Sequence, residues 1–168
     1  MKKTTVITLS AALVFCFCLC LCLCLSGCSD ALSLGKDKDY KADQKELCQS
    51  WQLIGYGTET DFHTIAEEYR TTSETYGSRF FLVFSTNGTF TGRESVNRIF
   101  GDYTCRGAQI KIENLVSTEI YDAKGAEESE AFLRRLMTAT SYGIKDTRQF
   151  RLYYTADEFL YFEAPEPR

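Results

Sequence analysis

Thiols, one imidazole and scattered carboxylates are the reactive side chains of this chain. Eight cysteines and a single histidine stand among 23 acidic and 19 basic residues in a length of 168. His63 has no serine or cysteine nucleophile motif beside it in the sequence, and covalent catalysis needs a base held against its nucleophile. Glu127, Glu128 and Glu130 offer paired carboxylates for hydrolysis, yet they open a helical pattern, where negative charge suits the helix dipole in any case. A carboxylate-dependent hydrolase is therefore only the remote alternative, and the chain is expected to be no enzyme. Gly101 stands outside any repeated glycine pattern, so no nucleotide cradle is expected, and no cofactor is implied.

The alternating Cys16, Cys18, Cys20, Cys22 and Cys24 imitate a metal site, but they lie inside an apolar run over residues 11–25 that follows Lys2 and Lys3. In that setting they are small hydrophobes of an export signal. The run closes on Leu25, Ser26, Gly27 and Cys28, a quartet that resembles the lipobox of bacterial lipoproteins. Residues 1–27 are accordingly expected to be a cleaved signal peptide, with Cys28 the lipidated first residue of the mature chain. The competing membrane-helix reading is disfavoured by length, since a span needs roughly 20 apolar residues. Ser29, a residue other than aspartate after the lipidated position, points by resemblance to the outer membrane.

Only Cys48 and Cys105 then remain as free thiols, in an exported and oxidising setting. Cys48 precedes Trp51 by three positions and Cys105 shares a strand face with Tyr103, so both can approach one end of a sheet and pair. The competing reading makes Cys105 a buried small hydrophobe and places Cys48 in the tether. Loss of Lys2 and Lys3 takes the net charge from −4 to −6. An acidic domain of this kind has no footprint for nucleic acid or for anionic lipid, so membrane attachment must come through the N-terminal acyl chains.

Residues 28–46 read as a flexible tether, with the alternating charges of Lys36, Asp37, Lys38 and Asp39, and residues 47–168 as one domain. Short strands are predicted over 51–56, 79–85, 89–93, 102–105, 109–113, 149–154 and 158–163. Asn87-Gly88 is expected to make a two-residue hairpin turn. Residues 126–140 break the rhythm. Phe132, Leu133, Leu136 and Met137 form an apolar stripe at helical spacing, a face to be buried on the sheet. Residues 61–76 are open between a short helix near 65–69 and a long connection. The fold class is thus α+β and mostly β, a strongly curved antiparallel sheet wrapped around one amphipathic helix.

The order of these elements resembles the META domain family, the HslJ-like lipoproteins and their relatives. The resemblance rests on Trp51-Gln52-Leu53, the stretch 84–88, and the line of Asn97, Gly101 and Tyr103. It continues through Ile110, Ile112, the isolated Thr118, and the helix with Phe132 and Leu136. Leu152, Leu160 and Phe162 complete it in the closing strands. It implies a half-barrel or barrel-like sheet around a single helix, with associations to envelope stress, motility or secretion and no established reaction. Many members carry a disulfide for which this chain has Val96 and the Tyr121-Asp122 region instead. Asn97 has two readings: orienting a ligand in the concave sheet, or satisfying backbone groups of a loop over 94–100. Gly101 marks a bend or bulge.

Two classes of function follow, both in the bacterial cell envelope. One is a binding or stress-related factor that takes a small apolar ligand or exposed apolar segments inside the barrel. The other is an accessory that contacts another envelope protein. Phe81 and Val83 alternate with Phe80, Leu82 and Phe84, so this strand is apolar on both faces and its second face needs a cover, from residues 58–78 or from a partner. A cavity of at least about 300 Å³ between helix and sheet would favour the ligand, and a filled core with an apolar outer patch the accessory. For the anchor, Cys28→Ser is expected to release the protein from membranes on alkaline extraction. A variant that stays bound would make the leader a transmembrane helix.

Overall fold

A computed structural model describes residues 39–70, 79–120 and 122–166. The expected signal peptide, Cys28, residues 28–38 of the expected tether, and Tyr121 lie outside these residues. Nine strands make one antiparallel sheet: β1 (Ser50–Gly57), β2 (Phe62–Thr64), β3 (Phe80–Phe84), β4 (Thr89–Glu94), β5 (Asn97–Arg106), β6 (Gln109–Ser117), β7 (Ser141–Lys145), β8 (Gln149–Tyr153) and β9 (Phe159–Glu163). Three helices accompany them, α1 (Gln44–Leu47), α2 (Glu67–Arg70) and α3 (Ala126–Met137). Each strand pairs with its successor from β3 to β9, and β9 returns to β1, so the sheet closes into a ring. β1 serves both neighbours of one edge in turn, pairing through Ser50, Trp51 and Gln52 with β3 and through Gly55, Tyr56 and Gly57 with β2.

Closure puts alternate side chains inside. Phe80, Leu82 and Phe84 of β3 are fully buried while Phe81 and Val83 are only half-buried. A register shift between Phe100 and Asp102 falls where β6 carries an extra residue, Asn114 at φ 51, whose amide donates to Asp102 Oδ2 at 2.7 Å. Gly101 faces this bulge from the partner strand. A Cβ there would lie 2.7 Å from the Phe90 ring and 2.8 Å from the Glu113 carbonyl. The expected bulge is thus made by β6, and Gly101 supplies the room for it.

The ring is weakest between β6 and β7, which share only the pair Gln109–Ser141. There the chain before the domain fills in. Lys41 exchanges two backbone hydrogen bonds with Ile144 at 2.8 and 2.7 Å, and Tyr40 donates to Gln149 Oε1 at 2.9 Å. Residues 39–46, expected as the end of the tether, therefore pack on the domain. Asp43 caps α1 by accepting from Lys45 N at 2.8 Å and Glu46 N at 3.2 Å, and Leu47 is fully buried. The charge alternation that suggested a linker gives way to a β-edge that needed its hydrogen bonds satisfied.

Other local corrections have equally local causes. Asn87 keeps an ordinary φ and only Gly88 is left-handed, at φ 83, with Gly88 N bonded to Ser85 O at 3.2 Å. The hairpin therefore has a longer loop than two residues. Asn97 and residues 98–101, expected in a loop, extend β5, because Ser95 at φ 51 turns the chain between Glu94 and Asn97, which pair directly. Of the segment 61–76, residues 61–70 contain β2 and the single turn α2, and residues 71–78 of the connection expected to cover β3 lie outside the described residues. β7, absent from the sequence expectation, has the sequence Ser-Tyr-Gly-Ile-Lys and is buried on both faces through its centre.

α3 fills the ring. Ala131, Phe132 and Leu136 are its buried residues, whereas Met137, expected on the same stripe, is 57% exposed. Helical geometry explains this: Phe132 and Leu136 are one turn apart, and Met137 lies a further 100° round the axis. Phe132 packs edge-on to Phe80 with centroids 5.6 Å apart and against Phe162 at 6.4 Å. The stack continues from Phe162 to Phe150 at 5.2 Å and from Phe150 to Trp51 at 5.1 Å, all within the range of favourable ring pairs. The space between helix and sheet is occupied by these rings.

A polar latch fixes where α3 starts. Gly125 at the N-cap has no capping side chain, and Asp122 takes over. Its carboxylate accepts from the Ser95 hydroxyl and from Lys124 N at 3.2 Å, and Arg79 Nη1 lies 3.5 Å away. The Ser95 bond foremost holds the Asp122 carboxyl below the usual carboxylate range; burial opposes it, and the backbone N–H groups of Lys124 and Gly125 and the Arg79 charge add to the lowering. Gly125 must be glycine because a Cβ would fall on Ser95 Oγ and 2.6 Å from Asp122 Oδ2.

Two outcomes follow. Leu136→Ala is expected to cost about 2–5 kcal/mol by chemical denaturation, the range for a buried leucine cut to a cavity. Met137→Ala should stay within about 0.5 kcal/mol, as for an exposed site; equal effects would mean that α3 does not dock as described. A depressed native pKa at Asp122 gives stability that is complete above the unfolded value, about 3.9, and is lost as pH falls through the native value. Thermal midpoints of the wild type and Asp122→Asn should accordingly differ at pH 6 and converge in acid. A pH-independent gap would refute the latch.

Candidate functional site

The residues singled out from the sequence do not converge on one place. Trp51, Gly101 and Tyr103 belong to the barrel interior. Trp51 Nε1 donates to Leu47 O at 2.9 Å, tying α1 to the wall, and Tyr103 donates to Ser85 O at 2.7 Å with its ring edge-on to Phe84. Asn97 and Thr118 form a separate clamp where β6 leaves the sheet. Asn97 Oδ1 accepts from Ile120 N at 2.7 Å and from Thr118 Oγ1 at 3.0 Å, and Asn97 Nδ2 donates to Ile120 O at 3.0 Å. Thr118 Oγ1 in turn accepts from Arg98 N at 3.1 Å. The amide is thus committed to the segment 118–120 rather than to backbone of the β4–β5 turn.

The two thiols approach the end of the barrel that α1 covers. Cys48 Sγ lies 3.2 Å from Gln44 O and 3.4 Å from the Tyr103 hydroxyl. Cys105 packs on the core. Both are free thiols in this structure. Burial pushes the Cys105 thiol up, and it pushes the Tyr103 and Tyr142 hydroxyls far above their ordinary range, so these phenols hold their protons.

His63 has partners that no local pattern announces. Its ring stacks on Tyr56 with centroids 4.7 Å apart, and its Nε2 lies 3.0 Å from Glu128 Oε1 in the first turn of α3. The Arg135 guanidinium covers the Tyr56 ring at 3.6 Å. Desolvation, then the Glu128 charge, raises the Tyr56 hydroxyl, and the Arg135 charge opposes them. This cluster clasps the β1–β2 hairpin to α3 through residues 65 positions apart. Such a separation is invisible to motif reading. Among the described residues no group of three or more histidine, cysteine or carboxylate side chains could hold a metal ion.

The concavity that sequence reading missed lies outside the barrel. Phe81, Thr91, Gly92, Arg93, Arg98 and Phe100, from three neighbouring strands, line a groove of about 400 Å³. The register aligns Phe81, Arg93 and Arg98 in one row across β3, β4 and β5, and Val83, Thr91 and Phe100 in the next. Phe100 is 42% exposed, and its neighbour on β6, Val116, is 53% exposed. Strand alternation named Phe81 and Val83. The arginine pair was hidden because residues 94–100 read as a loop, which removed the register that brings Arg93 beside Arg98.

Solved structures show the same fold. A protein from Burkholderia xenovorans, determined by NMR, superposes with a TM-score of 0.55 at 18% identity, over 69% of this chain and 81% of its own. A DUF4847 family protein from Bacteroides vulgatus, determined by crystallography, superposes with a TM-score of 0.52 at 14% identity, over 73% of this chain and 96% of its own. No curated protein matches the chain. The META domain family model matches residues 45–166, from α1 through the strand that closes the ring, and the chain belongs to the META domain family.

Proposed function

We propose that this chain is a lipid-anchored, non-catalytic binding module of a bacterial cell envelope. Its recognition surface is the outer face of β3, β4 and β5, and its partner is an acidic, apolar-bearing segment of another envelope protein. The observation that carries this reading is the position of the open space: the interior is filled by stacked rings, and the groove lies outside, between exposed aromatic and cationic side chains. Arg93 and Arg98 are direct cross-strand neighbours that make this part of the outer face cationic, a surface suited to an anionic partner. Arg98 has no ion pair among the described residues. Phe81 and Phe100 supply the apolar flanks that an aromatic or aliphatic side chain of the partner would cover.

The anchor rests on the sequence at Cys28 and the outer membrane on Ser29, with residues 29–38 as the remaining tether. Two or more acyl chains hold a protein to a bilayer firmly, and an acidic domain then faces the aqueous side. No helix among the described residues is long and apolar enough to cross a membrane. The non-catalytic reading is supported by the use of His63 and Glu128 in a structural clasp with Tyr56 and Arg135.

A photo-crosslinking side chain placed at Phe100 in living cells is expected to capture one envelope protein. The same probe at Lys111, on the exposed part of β6, should not. Arg98→Glu should abolish the adduct, and replacing the acidic residue of the captured segment with lysine should restore it. Equal capture from both positions, capture of lipid alone, or indifference to Arg98→Glu would overturn the proposal.

A further inference from the structure

At the end of the barrel beneath α1, four proton-bearing side chains from three elements, α1, β5 and β7, gather. Cys48 is the C-cap of α1, and the helix is held in place there by the buried Leu47 and by the Trp51 indole bonded to Leu47 O. Cys48 Sγ faces the Tyr103 hydroxyl at 3.4 Å. Tyr103 and Cys105 are alternate residues of β5, so both project from the same face of the strand. Cys105 packs on the core. Tyr103 therefore meets Cys48 through its hydroxyl and lies two residues from Cys105 along β5, which brings both thiols to the same end of the barrel. Both cysteines are only half-buried, so a small oxidant reaches them.

We infer that Cys48 and Cys105 are a dithiol pair that closes to an intramolecular disulfide in an oxidising compartment, stapling α1, which follows the tether, to β5. The oxidant is a disulfide, of a small thiol or of an exported oxidoreductase. The Cys48 thiolate attacks one sulfur of that disulfide, forming a mixed disulfide and expelling one thiolate, which takes up the Cys48 proton. Cys105 sulfur then attacks Cys48 sulfur, expels the second thiolate and gives up its own proton to it. Two cysteine thiols are oxidised and one disulfide is reduced to two thiols. The bond that forms gives up the contact of Cys48 with Gln44 O, and Tyr103 keeps its own anchor on Ser85 O.

The staple involves no residue of the outer groove, and its test supplies the oxidant directly, so it stands or falls apart from the envelope assignment. Full-length protein in detergent is incubated with an oxidised and reduced glutathione mixture of oxidising poise, quenched with iodoacetamide and digested. The expected product is a single peptide pair joined through Cys48 and Cys105. Closure of a loop of about 58 residues should raise the thermal midpoint on the order of 10 °C, reversibly with dithiothreitol. Cys105→Ser should lose that shift and accumulate glutathione on Cys48, since no second thiol resolves the mixed disulfide. Two alkylated thiols, or separate glutathione adducts on both cysteines of the wild type without the joined pair, would overturn the inference.

Discussion

Pairing of β9 with β1 is the constraint from which the rest follows. A sheet that closes on itself has no long free edge, but it encloses a space that must be filled. One helix and a set of aromatic rings fill it. Phe132 of α3 reaches both Phe80 on β3 and Phe162 on β9, the two strands that flank β1, so a single side chain packs across the closure of the ring. With Phe84, Phe90, Phe150 and Trp51 also fully or nearly fully buried, the concave face is a packed core. The outer face instead carries a groove, where Phe81, Arg93 and Arg98 stand in one row across three consecutive strands and Phe100 in the next.

The polar residues inside this arrangement answer needs that closure creates. α3 leaves and re-enters the ring where β6 and β7 barely pair, so both the start of the helix and the strand edges there require partners. Asp122, Ser95 and Gly125 set the helix start. Asn97 and Thr118 hold the exit of β6, and the backbone of Lys41 covers the edge of β7. Buried or edge backbone groups left unpaired would each cost about 1–3 kcal/mol, which explains why short polar side chains rather than apolar ones occupy these positions. His63, Glu128, Tyr56 and Arg135 perform the same kind of service for the β1–β2 hairpin.

Much of the fold was legible because it is written in periodicity. Alternation around Phe80–Phe84 and the spacing of Phe132 and Leu136 identify the inner faces of β3 and α3, and the closing strands follow the same rule. Periodicity fails where packing decides. β7 carries a central glycine and is buried on both faces, so its five residues show no alternation, and β2 is a three-residue strand made by its pairing with β1. Met137 satisfied a loose helical pattern but falls outside the arc that the sheet covers. Residues 39–46 looked like linker because a polar segment that docks through its backbone carries little apolar signal. Of the outer site, Phe81 and Val83 could be read from the sequence. The arginine row required the β4–β5 register, which depends on a left-handed serine that composition does not reveal.

The most direct measurement is a pair of NMR titrations of the isotope-labelled protein, one with an acidic peptide carrying aromatic residues and one with a long-chain fatty acid. The account predicts that the peptide shifts resonances of Phe81, Arg93, Arg98 and Phe100 in a saturable way that Arg98→Glu removes. The fatty acid should leave Phe132, Leu136 and Phe150 undisturbed. Saturable shifts of those interior residues by the fatty acid, with the outer row silent to the peptide, would show that the barrel opens to a ligand and contradict the account.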